Sequence, residues 1–329
     1  MKPNKEATRH NPCWEARKHL LLSALSNARL DVFCLQELSV GDAPFFKEAL
    51  SRCGYVMEFY SATEEDGPHR LGVAVAFCAA RLQTCAPRRT GFFEAQDEDG
   101  ETRRRGFLSL DLRDIGSGLV TRVASVHLYG GSSRGNPLAL AQMKKFRADI
   151  EDGAETARVF QVVVAGDMNS DVDEEHDLGF PGPCGFMLSI PGGGNGGSGA
   201  SAFLYGSVWK ESAPPEGQGR KIPTTNKPGG RHLDWVFVGR RHGAGAGPLP
   251  VLRALPLRGQ DRTVSDHRLT ALVIEEAETF GNQGPEKMKT KSRGHLEVLD
   301  RIVKFLHGQN YAELTSTWKE CEECEGIKE

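Results

Sequence analysis

Apolar positions along this chain switch between two periods, and the switches mark out its elements. Trp14, Leu21, Leu25 and Ala28 recur at helical spacing. Asn11-Pro12 just ahead of them supplies an N-cap and a first helical residue, so a helix is predicted to about residue 29. Residues 31–38 contain the short continuous run Val32-Phe33-Cys34-Leu35, the pattern of a buried strand. A second helix is predicted over residues 43–53, followed by strands over 71–78, 107–112 and 119–128. Asn136-Pro137 repeats the cap-and-proline signal, Ala139, Met143, Phe146 and Ile150 follow on one face, and Gly153 closes the helix. Strands over 159–165, 232–238 and 268–274 complete the series. This alternation predicts one layered α/β domain over residues 11–275.

Beyond that domain the character changes. Residues 276–294 are charged and turn-rich, as in a linker, and residues 295–320 form a short helical tail with Leu296, Leu299, Val303 and Leu306 on one stripe. The tail docks on the domain or meets a protein partner of unknown identity. Glycine adds a further feature. Of 38 glycines, 18 fall between Gly179 and Gly247, which marks a Gly-rich insertion at about 179–230. Long loops of this kind border functional sites or serve no role.

Composition then narrows the classes. Hydrophobic residues at 39% and charged residues at 26% exclude wholesale disorder. The balance of 41 basic and 44 acidic residues removes bulk basicity as a reason to bind nucleic acid. Local basic groups remain at Arg103-Arg104-Arg105, Arg231 and Arg240-Arg241. No apolar run approaches the roughly 20 residues of a membrane span, and residues 1–10 lack the apolar centre of a secretory signal. Eight scattered cysteines, several inside apolar segments, suggest free thiols and an intracellular setting, cytoplasmic or nuclear. Cys321 and Cys324 make a single CxxC, too few for a four-ligand zinc site.

The chemistry-bearing residues gather at predicted strand ends, where ligands collect in open α/β sheets. They are Glu37 in Leu35-Gln36-Glu37, His127 in Ser125-Val126-His127-Leu128, Asp167 and Asn169 in Gly166-Asp167-Met168-Asn169, and Asp266-His267. Asp234 adds an acid inside the apolar segment Leu233 to Phe237, where a carboxylate is costly without a partner such as histidine. Singly, each has an ordinary explanation as a solvated acid, a core histidine or a turn residue. Together they supply what hydrolysis of a phosphodiester requires. Carboxylates hold a hard divalent cation, a base activates water, and polar donors meet the charge on phosphorus. No GxxxxGK[ST] loop, strand-following GxGxxG or HExxH occurs, which excludes those alternatives.

The segments DVFCLQE, SVHL, VVVAGDMNSD, HLDWVFV and VSDHRLTALVI, in that order, resemble the endonuclease/exonuclease/phosphatase superfamily. The resemblance implies a four-layer α/β sandwich, two mixed β-sheets packed face to face with helices outside. It also implies a hydrolase that uses Mg²⁺, with Mn²⁺ as a possible substitute. By the same resemblance Glu37 and Asp266 are the metal-holding acids, and His127 contacts phosphate. Asp167 and Asn169 orient water and a phosphoryl oxygen. His267 with Asp234 forms a His-Asp couple that activates water, although Asp167 is an alternative base. One departure stands out: the family's first strand, ending in asparagine, is missing from residues 1–10. Asn4 and Asn11 lie within range of Glu37, and a truncated start is the expected cause.

Substrate is less legible. The sequence lacks the tryptophan before GDxN and the WCDR-like segment of inositol 5-phosphatases, and it has His127 where abasic-site endonucleases usually carry tyrosine. Trp14, Arg17 and Lys18 are similar to the WxxRK of deadenylase-like members, and GDMNS to their GDFNS. Nucleic acid is therefore the first-ranked substrate. The alternatives are a lipid or small phosphodiester, for which residues 186–190 or 202–205 could offer an exposed apolar hairpin, and a non-catalytic binding relative.

Overall fold

The computed structural model describes residues 14–28, 30–62, 70–96, 102–129, 137–154, 157–170, 182–188, 203–207, 233–241, 251–256 and 270–275. The predicted linker and helical tail, Asn4, Asn11, Arg231, Asp266 and His267 lie outside them. The chain divides into two units. One takes residues 1–29, 257–266 and 276–329, and the other takes 30–256 and 267–275. Of the first unit, helix α1 (Trp14–Ala28) is described. Its Arg17 guanidinium lies 5.6 Å from the Trp14 ring centroid, and Lys18 pairs with Glu15.

The second unit runs β1 (Val32–Ser39), α2 (Ala43–Arg52), β2 (Tyr55–Tyr60), β3 (Leu71–Cys78), β4 (Leu82–Thr84), β5 (Arg89–Gln96), β6 (Thr102–Asp114) and β7 (Val120–His127). It continues with α3 (Pro137–Glu151), β8 (Gln161–Asp167), α4 (Pro183–Leu188), β9 (Phe203–Ser207), β10 (Asp234–Arg241), β11 (Val251–Pro256) and β12 (Thr270–Glu275). One sheet has the order β1-β3-β2, with antiparallel pairs throughout. The larger sheet runs β4-β6-β7-β8-β10-β9, with β5 sharing the edge of the long β6. It is mixed, because β7 and β8 are parallel and are joined through α3 as a βαβ unit. β11 and β12 pair with each other.

Strand periodicity assigns the layers. On β3, Val73, Val75 and Phe77 face Leu108, Leu110 and Leu112 of β6 and Val123 of β7, and this apolar contact joins the two sheets face to face. Alternate β3 residues Ala74 and Ala76 are buried on the other face, the side of β2 and α2, where Phe46 and Leu50 are fully buried. On the larger sheet, Phe107, Ala124, Val126, Val162, Val164, Trp235 and Phe237 face Met143, Phe146 and Ile150 of α3 and Cys184 and Met187 of α4. The order helix, sheet, sheet, helix is the sandwich expected. Five of the described strands had no counterpart in the hydrophobic pattern, β2, β4, β5, β9 and β11, and each pairs with a single neighbouring strand. The Gly-rich segment contains α4 and β9, so part of it belongs to the core rather than to a loop.

A buried ion pair pins α3 to this sheet. Arg122 and Asp111 sit side by side on β7 and β6 with side chains essentially sealed from solvent. Arg122 Nε and Nη2 donate to the two Asp111 oxygens at 2.6 and 2.9 Å. Its Nη1 donates to the carbonyls of Ile150 and Asp152 at 2.7 and 2.8 Å, satisfying the end of α3 where the helix dipole favours a cation. Gly153, at φ +59°, then turns the chain out of the helix. Removing the acid strands a buried cation. Asp111→Ala should lower unfolding free energy by about 3–5 kcal/mol in equilibrium urea denaturation, with little change in m.

Candidate active site

The site is built where β7 and β8 end together. Val126 pairs with Gly166 and His127 with Asp167 in the parallel ladder, so the last residues of both strands lie side by side. Gly166 is required by this approach rather than by a turn: a Cβ there would sit 1.9 Å from the Val126 carbonyl oxygen. β10 runs antiparallel to β8 and starts at the same rim, which places Asp234 opposite Asp167. The ladder continues past the strands, with Leu128 N donating to Asp167 O at 3.0 Å and Met168 N to Leu233 O at 2.9 Å.

Asn169 locks the exit from β8. Its backbone, at φ +49°, is left-handed, a conformation asparagine tolerates better than most residues. Its N–H donates to Asp167 Oδ1 at 2.8 Å and its Nδ2 to Leu128 O at 2.9 Å. One oxygen of Asp167 is thereby fixed, and the other, Oδ2, lies 4.0 Å from His127 Nε2. Both His127 and Asp167 are buried, at 5% and 7% exposure. Trp235 Nε1 donates to Ser170 O at 3.1 Å and ties the following loop residue to β10.

Glu37 comes from the opposite sheet. The β1–β3 register shifts by one residue between Leu35 and Leu38, a bulge that the apolar run did not announce. Within it Glu37 takes φ +56°, uncommon for a residue with a side chain. A polar clamp between sheets holds the bulge. Gln36 Nε2 donates to Ser125 Oγ at 2.9 Å, and Ser125 Oγ donates to Leu35 O at 3.1 Å. Glu37 Oε1 then lies 3.9 Å from His127 Nε2, with its side chain largely exposed. His127 is thus flanked by two carboxylates at distances longer than a direct hydrogen bond.

Of the sequence-predicted site residues, Glu37, His127, Asp167, Asn169 and Asp234 come together at this rim. Asp266 and His267 lie outside the described residues. Sequence reasoning passed over the roles of Gln36 and Ser125, although both stand inside the quoted motifs. Beside His127 lies a narrow crevice with room for about one water, lined by Tyr60, Ala62, Gly72, Arg104 and Gly106. Within the described parts of the two candidate lipid-facing segments, Met187 and Phe203 are fully buried, Tyr205 is nearly so, and Phe186 packs on the same cluster. Cys34, beneath the site on β1, has its thiol pushed up to about 12 by burial and is no nucleophile.

The family model for the Endonuclease/Exonuclease/phosphatase family matches residues 9–267. The chain belongs to this family. Among solved structures, the human Nocturnin catalytic domain with bound sulfate aligns with a TM-score of 0.57 at 20% identity, covering 79% of this chain and 86% of that one. ANGEL2, a 2′,3′-cyclic phosphatase, aligns with a TM-score of 0.57 at 19% identity, over 82% of this chain and 89% of its own. D. rerio TDP2 complexed with single strand DNA product gives 0.50 at 19%, over 77% and 89%. No curated protein sequence gives a significant match. Identities this low establish the shared α/β sandwich, and the family's members are hydrolases of phosphoester bonds.

The clamp generates a test of how Glu37 is held. Ser125→Ala removes the hydroxyl that serves both Gln36 and the Leu35 carbonyl in a buried setting. It should cost about 1–3 kcal/mol, read as a lowered urea midpoint.

Proposed function

We propose that this protein is a Mg²⁺-dependent phosphodiesterase acting on nucleic acid. The observation that carries the reading is the convergence of Glu37, His127, Asp167, Asn169 and Asp234 at one rim of the sandwich, drawn from both sheets. Three carboxylates, those of Glu37, Asp167 and Asp234, reach this rim, and hard oxygen donors of that kind suit Mg²⁺, which is commonly held by one or two carboxylates and keeps several waters. Among the described residues no group of three His, Cys, Asp or Glu side chains is arranged to hold a metal ion. Glu37 would carry the ion together with Asp266. Bound there, Mg²⁺ would neutralise charge developing on the phosphoryl oxygens.

The protein's own groups divide the remaining work. His127, between two acids, is placed to donate an N–H to a phosphoryl oxygen as negative charge builds. Asp167, with one oxygen fixed by Asn169 and the other turned toward His127, orients the attacking water. His267, coupled to Asp234, takes the proton from that water. The fixed Asp167 rotamer matters here, because a water must be aligned with the bond that breaks.

The nucleic-acid assignment draws support from the single strand DNA product bound to D. rerio TDP2 and from arginines on β6 near the site. The core position of Phe203 and Tyr205 withdraws an aromatic hairpin from the lipid reading. On the same proposal residues 11–275 form the catalytic domain, 179–230 its insertion, 276–294 a linker and 295–320 a helical tail. Free thiols at Cys34, Cys53, Cys78, Cys85 and Cys184 support an intracellular setting, and no helix among the described residues is long and apolar enough to cross a membrane.

Purified protein should hydrolyse bis-p-nitrophenyl phosphate with Mg²⁺ or Mn²⁺ and lose the activity in EDTA. Asp167→Ala, His127→Ala and His267→Ala should each lower kcat/KM by about 100-fold or more while leaving thermal melting near wild type. Absence of metal-dependent cleavage of this ester and of single-stranded DNA and RNA would favour the non-catalytic alternative.

A further inference from the structure

Glu37 stands on the side of its strand that simple alternation denies it. Residues directly opposite one another in an antiparallel ladder share a face. Cys34 lies opposite Val75 and packs with it between the two sheets, whereas Phe33 and Leu35 lie opposite Ala76 and Ala74 on the other face. Continued alternation would send Gln36 between the sheets and Glu37 outward with Phe33 and Leu35, away from His127. Gln36 follows the rule, because its Nε2 reaches Ser125 Oγ on β7 at 2.9 Å. Glu37 breaks it, with Oε1 at 3.9 Å from His127 Nε2 on the same inner side.

The bulge makes the difference. Between the Leu35–Ala74 and Leu38–Gly72 pairs β1 advances by three residues and β3 by two, so β1 carries one residue more. Glu37 absorbs it at φ +56°, and the turned backbone brings two consecutive side chains to one face. A residue with a Cβ keeps such a conformation only where its surroundings hold it there. Here the hold comes from one hydroxyl. Ser125 Oγ accepts from Gln36 and donates to the Leu35 carbonyl at 3.1 Å, so it grips the chain immediately before the turned residue. Ser125 is fully buried and sits two residues before His127 on β7. The same contact therefore fixes the bulge and sets its place relative to the histidine.

We propose that Gln36 and Ser125 are positioning residues for a divalent cation, because their contact keeps β1 in the bulged form that turns the Glu37 carboxylate toward the rim. Without it Glu37 relaxes to extended backbone and faces outward. The inference rests on the reading of Glu37 as a metal-holding acid and adds what sets the affinity of that acid. Neither residue is a ligand; both act through Glu37.

The test is Mn²⁺ binding to the folded protein without substrate, read from the electron paramagnetic resonance signal of the free ion. Glu37→Gln gives the loss due to the acid itself. Gln36→Ala and Ser125→Ala should each weaken binding by about tenfold or more, whereas Ser125→Thr, which keeps the hydroxyl, should stay near wild type. In a Glu37→Gln background the two alanine substitutions should cost nothing further, since they act only through that carboxylate. A merely structural role would lower affinity equally in both backgrounds. Unchanged Mn²⁺ affinity in Gln36→Ala and Ser125→Ala, or a loss that persists in full in the Glu37→Gln background, overturns the proposal. If Ser125→Ala does not fold, Gln36→Ala decides in its place. Where Glu37→Gln weakens Mn²⁺ binding and the two alanine variants do not, the positioning role falls and the metal reading stands. If wild type takes up no Mn²⁺, the metal reading fails and this proposal fails with it.

Discussion

The close approach of β7 and β8 governs this structure. Two buried strands run parallel with so little room between Val126 and Gly166 that the second position admits no side chain. Everything at the rim follows from that register. His127 falls beside Asp167, the Leu128 amide reaches the Asp167 carbonyl, and Asn169 finds the Leu128 carbonyl within reach. A slip of one residue would turn His127 toward α3 and Val126 toward the other sheet, so the same ladder that packs the core also aims the histidine.

That ladder is anchored from behind. Arg122, five residues before His127 on β7, spends its guanidinium on Asp111 and on the carbonyls that end α3. The helix that connects β7 to β8 is therefore fastened to the strand it leaves. In front, the Gln36–Ser125 contact fastens the opposite sheet to β7 two residues before His127. Polar contacts at these two places supply direction, while the apolar layers between them supply most of the cohesion.

What the sequence revealed follows the same division. The central strands β7, β8 and β10 are buried on both faces, so they read as apolar runs, and the acids and histidine at their ends stood out against that background. Gly153 was legible as a helix stop for the same local reason, its left-handed backbone. Edge strands left a weaker trace. On β5 the adjacent Phe92 and Phe93 point one to solvent and one to the core, so an apolar residue stands on both faces and the apolar–polar alternation is lost. The bulge at Glu37 was hidden because Val32 to Leu35 reads as the beginning of an uninterrupted strand, and only the pairing with β3 exposes the extra residue.

The exposed Glu37 and the buried His127 and Asp167 belong to different sheets. His127, Asp167 and Asp234 are held to one another by the β7–β8–β10 ladder, whereas Glu37 is held to them only by how two layers meet. Two kinds of contact therefore assemble the site, strand pairing and sheet packing, and it is the sheet packing that brings the glutamate within 3.9 Å of the histidine. The geometry of such a site depends on the interface between layers as much as on the residues at the rim. Val75 and Leu110, in the apolar contact between the sheets, therefore bear on where Glu37 stands relative to His127, although neither lies at the rim.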